Sequence, residues 1–172
     1  VASVGSMRRA FVEARDYAKR RTAFGARLID FPMVKETLGK LAARQDAALR
    51  ATFELVKRFD DVMGKPHATK ESDKALLRLL IALLKARTAA EAIDFAHEAI
   101  HLHGGNGYIE DFVTPRLLRD AQVLTVWEGT ENILALEVLR LIRKYRIHES
   151  FIRDVQDMLA PMPESLASLT RP

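Results

Sequence analysis

Cysteine is absent from the 172-residue sequence, and glycine and proline are scarce, with eight and six residues. Without cysteine the chain can form no disulfide, no thiolate metal site and no thiol nucleophile. This absence is compatible with a reducing compartment. Long stretches also lack glycine and proline, whereas a β-sandwich or β-barrel would need turn residues about every ten positions. The sequence therefore favours an all-α fold.

The apolar runs are short. The most apolar one, residues 75–84, is interrupted by Arg78, and none reaches the roughly 20 residues of a membrane-spanning helix. A hydrophobic content of 48% and a charged content of 29% are typical of one soluble globular domain. The opening VASVGSMRRA lacks an initiator methionine and already has helical character. We therefore expect a chain cut from a longer protein rather than one led by a signal peptide.

The charge is nearly balanced, with 27 basic and 23 acidic residues and a net charge of +4. Most charges alternate in sign along the predicted helices, which is typical of solvated faces. No nucleic-acid motif with interleaved aromatic residues is present. Two segments are nevertheless locally basic and could contact phosphate or another subunit. They contain Arg8, Arg9, Arg15, Lys19, Arg20 and Arg21, and near the end Arg140, Arg143, Lys144 and Arg146.

Apolar periodicity predicts two long helices in the first third of the chain. The first runs from about Val4 to Arg21 and ends near Phe24-Gly25, where glycine permits a left-handed turn. Pro32 suits the first turn of the second helix, which extends to about Met63. One face of this second helix is predicted to be buried. It carries Val34, Leu38, Leu41, Gln45, Ala48, Thr52, Leu55 and Phe59.

A third long helix is predicted from about residue 71 to Gly104-Gly105, after a connection at 64–66. Its apolar side chains lie on more than one face, so we expect it to be sandwiched between neighbours. Shorter helices are predicted at about 114–123 and over NILALEVLRLIRKY. Together these elements predict an up-and-down four-helix bundle with extra short C-terminal helices. We place the bundle domain at 1–147 and a short helix with a linker or tail at 148–172.

The stretch HEAIHLHGGNGY, residues 97–108, contains H-E-x-x-H, in which His97 and His101 could bind zinc while the glutamate acts as base. The extended metalloprotease motif requires a further histidine at the position of Gly107, which has no side chain to ligate with. A third ligand would have to be an acidic residue further along, such as Glu110 or Glu128. Histidines near a helix C-terminus also have an unrelated electrostatic reason to be there. A zinc hydrolase is thus one alternative.

Three separated stretches carry a different signal. YAKRRTAFG at 17–25 contains Arg-x-x-Phe-Gly, and WEGT at 127–130 has the form aromatic-Glu-Gly-Thr. Between them, a glycine-rich motif starts at His101. Together the three stretches, spread over roughly residues 1–146, resemble the C-terminal helical domain of the acyl-CoA dehydrogenase flavoenzymes, although Phe31-Pro32 stands where many members of that family have His-Gln. The matching positions of the middle motif are Gly104, Gly105, Gly107, Tyr108, Asp111, Arg116 and Asp120, with His101 where the family usually has Gln, Asp or Glu.

This resemblance implies an FAD-dependent α,β-dehydrogenation of an acyl-CoA thioester to 2-enoyl-CoA. Glu128 would be the catalytic base that removes the α proton, and Gly129 would contact substrate. Arg21 would reach the pyrophosphate of an FAD bound mainly by the neighbouring subunit, and Phe24 would pack on that flavin. Glycine would let the backbone approach the dinucleotide closely. The other implied cofactor-binding residues are His101, Leu102, Gly104, Gly105, Thr130 and Asn132.

The resemblance also implies an N-terminal helical domain and a middle β domain outside this chain, so that the isolated chain would be inactive. Its implied partners are acyl-CoA and, as electron acceptor, electron-transfer flavoprotein. The resemblance also implies association with further copies of the chain through the helical bundle, as a dimer or a homotetramer. Its implied location is the bacterial cytoplasm or the mitochondrial matrix. Trp127 followed by ENILALEVLR also resembles the alkylation-response branch of the family. The alternative is therefore a DNA-binding, repair-linked flavoprotein without acyl-CoA turnover.

Overall fold

The computed structural model describes residues 1–64 and 69–162. In these ranges the all-α prediction is confirmed, and no helix is both long enough and apolar enough to cross a bilayer. The predicted connection at 64–66 lies partly outside the described residues, as does the tail after 162. The helices are α1 (Ala2–Arg20), α2 (Pro32–Met63), α3 (Glu71–His103), α4 (Thr114–Leu124), α5 (Glu131–Tyr145) and α6 (Ile147–Leu159).

A small hairpin follows α1. Strands β1 (Thr22–Ala23) and β2 (Ala26–Arg27) pair antiparallel. Phe24 and Gly25 form the tip, with φ of +54° and +85°, as a two-residue hairpin turn requires. The left-handed turn predicted at Gly25 therefore exists, but it closes a hairpin rather than ending the helix, which stops at Arg20. A 3-10 turn at Leu28–Asp30 then leads into α2.

The larger core lies among α1, α2, α3 and α4, the four helices of the bundle. Small residues on α1 let the helices approach closely, and Phe95 of α3 is fully buried. The predicted buried face of α2 is confirmed from Leu38 to Thr52, but Phe59 is 45% exposed. The first turn of α1 lies beside the middle of α2, since the Gln45 side chain donates to the carbonyl of Val4. The core of the bundle includes Leu38, Leu41 and Ala48 of α2 but does not extend along the helix to Phe59.

Helix α3 is the centre of the fold, because it packs against each of the other five helices. Its first half forms a second core with α5 and α6, built on Ala75, Leu79, Leu141 and Ile147. Arg146, with φ of +51°, is the single left-handed residue that joins α5 to α6. The prediction of a sandwiched third helix is confirmed.

Candidate cofactor groove and active-site cleft

The glycine motif forms a rigid turn at the end of α3. Gly104 has φ of +61°, a conformation that costs other residues energy. Gly107 is buried, and a Cβ atom there would lie 2.4 Å from the carbonyl oxygen of Ile100. The hydroxyl of Thr114 donates to the carbonyl of Gly107 at 2.8 Å. The motif therefore uses one glycine for its backbone angle and another for close packing.

On its outer side the same turn is open. A Cβ added at Gly104 or Gly105 would have no atom within 4 Å. Both glycines line a groove of about 360 Å³. In this groove the structure brings together predicted residues that follow α1 and that end α3: Arg21, His101, Leu102, Gly104 and Gly105.

Two further groove residues, Tyr17 and His103, were not predicted. Their rings stack with centroids 4.1 Å apart, and the Asn106 amide donates to the Tyr17 hydroxyl at 3.0 Å. His103 is 6% exposed, and its Nδ1–H donates to the carbonyl of Ala99 at 2.7 Å. Burial lowers the pKa of His103, although the bond to Ala99 and the charge of Glu13 act in the opposite direction. The sequence could have indicated Tyr17 as a groove residue, because it lies one helical turn before Arg21 and therefore on the same side of the chain.

The other predicted cofactor residues lie outside this groove. Phe24 is at the tip of the hairpin and is 96% exposed. Thr130 precedes α5 and Asn132 lies in its first turn, so both are next to Glu128 in the chain. The predicted contacts are thus divided between the groove, the hairpin tip and the start of α5.

Glu128 lies in the loop between α4 and α5. The N–H of Trp127 donates to the carbonyl of Val123 at 3.1 Å, which ties the loop to the end of α4. Glu128 and Gly129 then have φ of +60° and +106°. A left-handed conformation costs a non-glycine residue about 1–2 kcal/mol. The fold therefore holds this glutamate in a backbone conformation that it would not adopt by itself.

Glu128 is exposed and lines a cleft of about 480 Å³ between this loop, helices α2 and α3, and residues 1–3 at the start of α1. Trp127 lies beside it. The Nζ of Lys85, on α3, donates to the carbonyl of Gly129 at 2.5 Å. Lys85 was not predicted, but a lone lysine in the apolar part of a sandwiched helix needs a polar partner. The other walls are mostly apolar and include Thr52, Leu55, Val56, Ile81, Leu84 and Leu124.

The zinc motif is only partly assembled. The ligand atoms of His97, Glu98 and His101 all lie within 4.8 Å of one another. Because Glu98 is the base in this motif, a catalytic zinc would need a third protein ligand besides the two histidines. Glu110, however, accepts two bonds from Arg119, at 2.9 and 3.2 Å, and Glu128 lines the separate cleft. Within the described ranges, neither predicted third ligand joins the histidine pair.

Comparison with known proteins agrees with this geometry. Residues 1–142 match the family model described as "Acyl-CoA dehydrogenase, C-terminal domain". The chain is 38% identical over 162 residues to acyl-CoA dehydrogenase family member 11 of Caenorhabditis elegans, covering 92% of the chain and 26% of that protein. It is 33% identical over 139 residues to the putative acyl-CoA dehydrogenase AidB of Escherichia coli, covering 80% and 24%.

Solved structures give the same result. The crystal structure of C. elegans ACDH-11 in complex with C11-CoA has a TM-score of 0.83 and 35% sequence identity, covering 92% of the chain and 27% of that protein. The chain thus spans about a quarter of the length of these relatives.

Proposed function

Because the chain belongs to the acyl-CoA dehydrogenase family, we propose that it forms the C-terminal helical part of a longer enzyme that oxidises an acyl-CoA thioester to 2-enoyl-CoA. Members of this family are FAD-dependent, and the flavin would supply the acceptor for the hydride that leaves the β carbon. One observation carries the proposal. Glu128 is held at an apolar-walled cleft by a loop that forces its backbone into the left-handed region.

Glu128 is the base in this proposal. Its carboxylate takes the proton from the carbon next to the thioester carbonyl, a task that requires one carboxylate positioned within reach of that carbon. Because Glu128 is exposed in this chain, exclusion of water around the bond that breaks would come from the apolar cleft walls together with the bound acyl chain. Gly129 contacts the substrate beside the base. The proton thus ends on the Glu128 carboxylate, while the two electrons of the β C–H bond leave as hydride.

The groove at the end of α3 has the features that a dinucleotide needs. Arg21 supplies a cation for a pyrophosphate, and Gly104 and Gly105 leave open space where a cofactor can approach the backbone. His101 and Leu102 line the same groove. Phe24, almost fully exposed on its hairpin, offers an apolar ring for a flavin.

Thr130 and Asn132 contact the cofactor from a second copy of the chain. The support for this is distance along α3, because Lys85 marks the cleft and Gly104 marks the groove. These residues are 19 positions apart, or about 28 Å at 1.5 Å per helical residue. The two sets of contacts therefore act on different flavins, so that two copies of the chain would contact each flavin, which favours a homodimer or homotetramer. Electron-transfer flavoprotein is the proposed acceptor.

The test is Glu128→Gln in the full-length protein, with Glu131→Gln as a matched control just beyond the same loop. Each protein is mixed with a panel of acyl-CoA thioesters without oxygen, and flavin bleaching is followed by visible absorbance. We expect Glu128→Gln to retain its yellow flavin and to lose at least about 100-fold in bleaching rate. The control should behave as the wild type. Normal bleaching by Glu128→Gln would exclude Glu128 as the base.

The same panel tests the alternative. A yellow wild-type protein that no thioester bleaches, with a DNA affinity that falls steeply as salt rises, would favour the repair-linked flavoprotein. A colourless protein containing zinc would favour the hydrolase.

A further inference from the structure

The loop that carries Glu128 is fixed at its two ends by backbone hydrogen bonds. At one end Trp127 bonds to Val123, and at the other the N–H of Leu134 donates to the carbonyl of Thr130 at 3.0 Å. Between these points lie two successive residues of positive φ, Glu128 and Gly129. A glutamate keeps such a backbone conformation only where its surroundings hold it, whereas glycine adopts it readily. Neither end bond involves the peptide groups of these two residues.

Lys85 supplies a hydrogen bond to the part of the loop that contains Glu128 and Gly129. It reaches across from α3, 44 positions earlier in the chain, and its Nζ donates to the carbonyl of Gly129. A bond from an ammonium group is stronger than one between two neutral groups. The bond from Lys85 to Gly129 is also partly buried. It lies in a cleft walled by apolar side chains such as Ile81 and Leu84, where competition from water is reduced.

The bond acts on the backbone of the residue directly after Glu128. Fixing the Gly129 carbonyl sets the orientation of the peptide groups that follow the glutamate, and hence the direction in which the Glu128 side chain leaves the loop. We propose that Lys85 is a positioning residue, which holds the Glu128 loop in its working conformation through the Gly129 carbonyl. The effect on the loop stands alone, whereas its effect on turnover rests on the proposed function of Glu128.

Hydrogen exchange tests the effect on the loop without any assay of activity. The full-length protein is compared with Lys85→Met, which keeps an unbranched apolar stem and removes the donor. We expect amides in the peptide covering 126–134 to exchange at least about tenfold faster, as loss of a charged hydrogen bond implies. Lys85→Arg keeps a donor and should retain most of the protection.

Lys74→Met is the matched control, because it removes a lysine of the same helix that pairs with Glu71 at 3.0 Å on the surface. It should leave exchange in 126–134 unchanged. Circular dichroism confirms that each variant is folded, and Lys85→Gln replaces Lys85→Met if the latter unfolds. Unchanged exchange in Lys85→Met would overturn the proposal. Equal loss of protection in Lys85→Met and Lys85→Arg would also overturn it, because the lysine stem rather than its donor would then hold the loop.

Measurements of kcat distinguish failure of the Lys85 proposal from failure of the proposal that Glu128 is the base. Misplacing a catalytic group by about 1 Å can cost roughly 100-fold in rate, so kcat should fall by about 10- to 100-fold in Lys85→Met, with little change in KM, and should recover in Lys85→Arg. If exchange rises in Lys85→Met while Glu128→Gln remains fully active, the base assignment fails and the Lys85 contact stands. If exchange rises and kcat is unchanged although Glu128→Gln is inactive, the positioning role is refuted.

Discussion

The phenol ring of Tyr17 lies against the imidazole of His103, with centroids 4.1 Å apart and ring planes inclined by 28°. Tyr17 belongs to α1 and His103 is the last residue of α3. Phe112 meets both rings edge-on, at 6.1 and 5.9 Å. This aromatic cluster joins the helix that leads to Arg21 with the turn that carries Gly104. The two walls of the groove are therefore held together by ring contacts around the buried His103.

The burial of His103 predicts that stability falls in mild acid. Burial lowers its pKa in the folded chain, whereas in the unfolded chain the ring takes up its proton near the ordinary value of 6.5. Below that value the unfolded state binds more protons, so the free energy of unfolding decreases as pH falls toward the lowered folded pKa. Urea unfolding at about pH 7.5 and about pH 5.5 measures this loss.

Two variants test whether His103 causes this loss of stability in acid. His103→Phe keeps a ring among Tyr17 and Phe112 and removes the titrating group, so its stability should change less between the two pH values. His97→Gln alters an exposed histidine on the same helix and should keep the wild-type dependence. If His103→Phe shows the full wild-type loss in acid, the buried imidazole is not its cause.

Phe24→Ala should leave stability unchanged and weaken flavin binding. The ring is 96% exposed, so its removal should alter the free energy of unfolding by less than about 0.5 kcal/mol. Phe95→Ala is the contrasting change, because Phe95 is fully buried in the main core, and such truncations cost about 3–5 kcal/mol. Chemical unfolding measures the free energy of unfolding, and the flavin retained after gel filtration of the full-length protein measures flavin binding. A large stability loss in Phe24→Ala would show that the hairpin tip packs against the fold.

The glycine motif predicts opposite effects for two alanine substitutions. Gly107→Ala would place a methyl group 2.4 Å from the Ile100 carbonyl oxygen and should destabilise the chain by about 1–3 kcal/mol or more. Gly105→Ala meets no atom within 4 Å, so it should remain folded but obstruct the cofactor groove. Thermal unfolding and flavin content distinguish the two. Undiminished flavin binding by Gly105→Ala would argue against close approach of a cofactor to this turn.

Much of the fold could be predicted from the sequence, because each long helix repeats apolar side chains every three or four residues. The middle of α2 and both faces of α3 follow this pattern. Phe59 fits the same pattern and is exposed, since periodicity marks one face of a helix but does not show how far along that face the packed core extends. The hairpin at Phe24-Gly25 was missed for a related reason, because two-residue strands have no period to detect.

The candidate sites were predictable only where a local motif marks them. The glycine turn and the loop around Glu128 are short and contiguous, so their residue types are visible in the sequence. The bond from Lys85 to Gly129 joins positions 44 apart, and its acceptor is a backbone carbonyl, which every residue carries. No residue pattern specifies such a bond. The cofactor roles of Arg21, Thr130 and Asn132 stay predictions that the variants above can test.

Helix α3 also restricts insertions and deletions between the two sites. Lys85 lies in α3 and Gly104 directly follows the last residue of that helix, and each helical residue advances the chain by about 1.5 Å and rotates it by about 100°. Deleting or inserting a single residue between them would swing the glycine turn around the helix axis by more than a quarter of a circle relative to the Glu128 loop. Exposed side chains in this interval can be exchanged without moving either site, whereas a change in the number of residues moves one site relative to the other. The spacing of the two sites is therefore a constraint on this part of the gene that is separate from the packing of its buried residues.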